Sequence, residues 1–105
     1  MKIIVVRPNE QPKIEEIENT LEAKQKIVGG YVEAFYPWDD ELALICNEEG
    51  KLINLPLNRL LLNEDGNPVD YIAGTFLICG APIGSENFTS VPDELIDKYM
   101  KFFQL

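Results

Sequence analysis

Histidine is missing altogether from the 105 residues. Its absence removes the commonest general base, the commonest metal ligand and every catalytic triad built on an imidazole. Arginine is scarce, with only Arg7 and Arg59. The two cysteines, Cys46 and Cys79, each end an apolar run (ALIC and FLIC), and no CxxC pair occurs. A zinc site would have to be made from these thiols and carboxylates alone, so both read as reduced thiols in the core. No apolar run approaches the roughly 18–20 residues that cross a membrane. The opening MKIIVVRPNE breaks at Arg7-Pro8 and lacks a small-residue cleavage site, so it reads as a first strand and not as a signal peptide. The expectation is a cytoplasmic protein that uses no cofactor.

What is abundant is acid. Eighteen Asp and Glu face nine Lys and Arg, a formal net charge of −9. Such a chain repels phosphate backbones and anionic membrane surfaces, which argues against direct nucleic-acid or membrane binding. Two readings of the acidity remain: solubility, or a surface that imitates DNA. Nine of the eighteen stand in the clusters Asp39-Asp40-Glu41, Glu48-Glu49, Glu64-Asp65 and Asp93-Glu94. Turns and first helical turns favour acids for local hydrogen bonding and for the helix dipole. Adjacent turn carboxylates do not form the facing pair that glycoside hydrolysis requires.

The hydrophobic fraction, 46%, is ordinary for a globular chain, and residues 1–105 read as one α+β domain. Met1–Val6 loads both faces with apolar residues, the pattern of a central strand. Lys13–Ile17 reads as an edge strand. Asn19 and Glu22 have capping-box spacing for a short helix with Leu21, Ala23, Ile27 and Val28 on its apolar face, ended by Gly29-Gly30. A double glycine after a helix is a stop, whereas phosphate cradles precede helices. Tyr31–Trp38 and Leu42–Cys46 alternate as a hairpin, with Val32, Ala34, Tyr36 and Trp38 on one side. Asn47-Glu48-Glu49-Gly50 makes the next turn, with Gly50 expected at positive φ, and Leu52-Ile53 continues the meander to Pro56. Asn63-Glu64-Asp65-Gly66 repeats the same turn chemistry and does not continue as a calcium loop. Thr75–Cys79 is a further strand. A final helix, capped by Thr89 or Ser90, carries the stripe Leu95, Ile96, Tyr99, Met100 and Phe103. Two helices on one face of a mostly antiparallel sheet is the simplest architecture for this order.

One polar feature escapes a turn or core explanation. Arg59 stands in LPLNRLLL, where an arginine needs an acid or carbonyls so as not to be buried alone. Its fork also suits a carboxylate or phosphate on a ligand. Asn58, Arg59 and Tyr31 are therefore the candidate ligand-binding residues. No catalytic or metal-binding residue is identified. Cys46 would act as a nucleophile only if exposed beside a cation such as Lys51 or Arg59.

The strings VGGYVE, ICNEEGKL, LPLNR and GTF, with FTSVPDELIDKY, resemble a domain-of-unknown-function family numbered 3846, over about Met1 to Met100. Lys24 departs from it, standing where a more apolar residue is expected. The resemblance implies small proteins of Firmicutes, their phages and conjugative elements, and it carries over no activity and no catalytic residue. The combined expectation is a non-catalytic module that binds a protein partner. The alternatives are a binder of a nucleotide-like anion and an acidic DNA mimic that counters restriction. An exposed edge strand would also allow a homodimer.

Overall fold

Unbroken apolar strands need cover on both faces, and three of them obtain it. In the computed structural model, which describes all 105 residues, a five-stranded sheet runs in the order β2-β1-β7-β4-β3 with every pairing antiparallel. The strands are β1 (Lys2–Val6), β2 (Lys13–Glu16), β3 (Val32–Phe35), β4 (Leu42–Asn47) and β7 (Phe76–Gly80). Helix α1 (Leu21–Val28) lies between β2 and β3 in the chain, and α2 (Asp93–Phe102) ends it. A separate hairpin, β5 (Leu57–Leu62) and β6 (Pro68–Ala73), is inserted between β4 and β7.

Period-two alternation divides the central strands between two cores. Ile3, Val5, Ala43, Ile45, Leu77 and Cys79 pack with Val28 and Ile27 of α1. Ile4, Val6, Leu42, Leu44, Cys46, Phe76 and Ile78 pack with Tyr99 and Phe103 at the α2 end, and with Leu61 and Ile72 of the hairpin. The helices therefore cover opposite faces of the sheet, which corrects the expectation of a shared face. β1, β4 and β7 offer apolar side chains both ways, so one helix layer cannot bury them.

Local corrections have equally local causes. Thr20, not Asn19, caps α1, its Oγ1 accepting from Ala23 N at 3.1 Å. Asn19 is engaged elsewhere: its Nδ2 donates to Phe88 O at 2.8 Å and its Oδ1 accepts from Lys24 Nζ at 3.1 Å. That explains the departure at Lys24, which is 5% exposed and whose ammonium also reaches Thr20 O. Leu21, assigned to the apolar face, is exposed. Neither Thr89 nor Ser90 caps α2: Thr89 pairs with Gly80 through two backbone bonds, Ser90 Oγ accepts from Lys2 N, and Pro92 occupies the cap. The expected stripe on α2 does pack on the sheet.

β3 stops at Phe35. Beyond Tyr36-Pro37, Trp38 joins Phe35 in the α2-side core, whereas Val32 packs on the α1 side. Leu52-Ile53 is no strand; residues 48–54 form consecutive turns and Leu52 is 83% exposed. The strand lies after Pro56 instead. Asn47 and Asn63 share their chemistry, each Oδ1 accepting the amide two residues on. Their glycines differ. Gly66 has φ +81°, while Gly50 is not at positive φ and is needed because a Cβ there would lie 2.7 Å from Ala73 O. No helix is long and apolar enough to cross a membrane.

Candidate functional site

A two-stranded hairpin is marginal by itself and must be tied to something larger. Asn58 and Arg59 provide the tie. Asn58 Nδ2 donates to Val6 O at 2.8 Å and to Gly74 O at 2.9 Å, stitching β5 to the end of β1. Arg59 donates through Nε to Phe103 O (3.1 Å), through one terminal nitrogen to Asn58 O and Oδ1, and through the other to Glu10 O (2.6 Å). No carboxylate meets it. Phe103 closes the C-terminal end of α2, where the helix dipole favours a cation. Burial alone pulls the Arg59 guanidinium below its ordinary pKa. The pair is a carbonyl-bonded clamp, with the Arg59 fork already engaged. Tyr31 is not part of it: its ring is 70% exposed and borders a shallow depression with Glu22, Gln25 and Lys26 of α1. The structure joins Asn58 to Arg59 and leaves Tyr31 apart.

A different concavity stands out. Residues of β3, the end of β4, the turn after it and β6 together line a cleft of about 400 Å³. Cys46, Asn47, Gly50, Ile72 and Ala73 are its buried residues, Phe35 and Tyr71 its aromatics, and Glu33, Glu48 and Asp70 its carboxylates. Lys51 Nζ lies 2.6 Å from Asp70 Oδ1 and 4.3 Å from the centre of the Tyr71 ring. Leu52 projects beside it.

A family model described as Domain of unknown function (DUF3846) matches residues 1–104. The chain belongs to the DUF3846 family. No curated protein and no solved structure matches it.

The chemistry open to this DUF3846 domain follows from the lining of its cleft. Cys46 is 5% exposed, and burial with Glu33 nearby pushes its thiol up to about 11 despite the opposing pull of Lys51. Burial holds Cys79 near 12. Neither forms the thiolate that nucleophilic attack needs at neutral pH. Three carboxylates against one ammonium, itself on Asp70, disfavour an anionic ligand. Nowhere do three His, Cys, Asp or Glu side chains converge as a metal-binding group.

At the far end of β4 the acidic turns do meet: Asp39 N donates to Glu64 Oε1 at 3.5 Å. Asp40 there accepts from Lys98 Nζ (2.7 Å) and Tyr99 OH (2.6 Å), and both bonds hold its carboxyl below the usual range. Sequence reading passed over Asp70 and Tyr71 because β6 was not recognised. The β-branched and aromatic residues Val69, Tyr71 and Ile72 in PVDYIA are the available signal.

Proposed function

We propose that this DUF3846 domain is a non-catalytic binding module acting on a protein partner, in a bacterial, phage or conjugative-element setting. The observation that carries the reading is the outward face of the β5–β6 hairpin. Leu61 and Ile72 point into the core, so their neighbours Leu60 and Tyr71, paired across the strands, point away from it. Leu57, Leu60, Val69 and Tyr71 are all exposed there, with Leu52 beside the adjoining cleft. Clustered apolar side chains on one face mark interaction sites more often than scattered ones do. The groups that could have served catalysis are spent on structure: Arg59 on carbonyls, Asp40 on Tyr99 and Lys98, and both thiols on the core.

The test is capture from the natural host lysate, comparing the wild-type chain with Leu57→Asp/Leu60→Asp and with the control Ile83→Asp. A discrete partner should be retained by wild type and control and lost by the double variant, at unchanged melting temperature. Capture indifferent to the double variant overturns the reading. So does a turnover abolished by Cys46→Ala with the fold intact.

A further inference from the structure

Resting on the protein-binding reading, we infer that the cleft between β3 and the hairpin seats a basic side chain, arginine best, of the partner's docking segment. The cleft opens beside the apolar face of the hairpin, so one segment can lay apolar side chains on Leu60 and Tyr71 while a neighbouring residue enters the cleft. Its charge selects the entrant. Glu33 comes from the edge strand, Glu48 from the turn after β4 and Asp70 from β6, three carboxylates on three elements around one concavity. Lys51 is the one cation among them.

Lys51 also shows what the site accepts. Its ammonium rests on Asp70 at 2.6 Å and over the Tyr71 ring at 4.3 Å, a carboxylate-and-aromatic seat for a cation. That lysine belongs to an exposed turn and is itself about half exposed, so it is a displaceable occupant held by a surface ion pair. An incoming guanidinium gains more than an ammonium from the same groups, because its plane stacks on the ring while its fork engages a carboxylate. The apolar floor of Cys46, Ile72 and Ala73 accommodates the methylene stem. An acidic segment is excluded by the same carboxylates.

Amide NMR titration with an acetylated Leu-Arg-Leu-Arg amide peptide tests this directly, with the Lys and Glu counterparts as comparisons. The arginine peptide should shift Glu33, Cys46, Asp70 and Tyr71 amides, the lysine peptide more weakly, the glutamate peptide not at all. Glu33→Gln and Glu48→Gln should each weaken binding by about two- to fivefold, and added salt should do the same. Lys51→Met, which removes the competing occupant, should tighten it by about two- to fivefold. Equal response to the glutamate peptide, shifts confined to other surfaces, or weaker binding by Lys51→Met overturns the inference. The two readings fail separately: partner capture lost in Leu57→Asp/Leu60→Asp but indifferent to Glu33→Gln/Glu48→Gln leaves the binding face standing and removes the basic seat.

Discussion

Arg59 illustrates how a residue can be conspicuous in sequence and still be structural. An arginine in an apolar run needs acceptors, and that need was legible. The acceptors themselves were not, because they are backbone carbonyls of Glu10 and Phe103, 49 and 44 residues away in the chain. Side-chain identity carries no mark of which carbonyls a fold leaves free. Arg59→Ala removes donors from carbonyls at three places, two of them partly buried, and should cost about 1–3 kcal/mol in urea denaturation. Asn58 is also engaged, both Nδ2 donors by Val6 and Gly74 and Oδ1 by Arg59. Tyr31, by contrast, is exposed on the α1 side, which separates it from the clamp.

Among the elements, those with one strong period were readable and those with an irregular pairing were not. β1, β3, β4 and β7, α1 and the α2 stripe follow from apolar runs, alternation and helical spacing. β5 and β6 do not alternate cleanly, since register shifts between Leu57 and Arg59 and between Leu61 and Leu62 break the pattern. Three consecutive leucines at 60–62 conceal which face is buried. The two Asn-acid-acid-Gly turns look interchangeable in sequence, yet substitution should tell them apart. Gly50→Ala puts a Cβ against Ala73 O, the backbone of the strand next to the cleft, and should lose about 1–3 kcal/mol. Gly66→Ala meets no atom within 4 Å and bears only its left-handed φ, so about 1 kcal/mol is expected. Chemical denaturation of the two variants side by side measures the difference.

For the whole molecule, charge sets the response to acid. Hydrogen bonds from Lys98 and Tyr99 hold Asp40 below its ordinary carboxyl pKa, and a hydrogen bond from Lys51, then one from the Tyr71 amide, does so for Asp70. In the unfolded chain both return to about 3.9. Between the lowered folded values and that point the unfolded state binds more protons, so stability falls as pH drops through the window. Above about pH 5 the contribution is complete. Both side chains are about a third exposed, which keeps the effect modest. Thermal melts between pH 7 and pH 2 should steepen in their decline below about pH 4, and Asp40→Asn or Asp70→Asn should flatten that slope. An unchanged slope in both variants would assign acid unfolding to other carboxylates.

β7 sits at the middle of the five-stranded sheet yet is the last strand of the chain. Its neighbours β1 and β4 emerge from the ribosome much earlier, each apolar on both faces and each with one edge that only β7 can pair. Until residues 76–80 are synthesised, no central sheet can close, and the early strands have only the β1–β2 and β3–β4 pairings to hold them. Assembly must therefore wait for most of the polypeptide and proceed through contacts distant in sequence, a route that is slow for its size. During that wait two unpaired apolar strand edges are exposed, and a nascent chain of this design depends on delivering β7 before those edges find another partner.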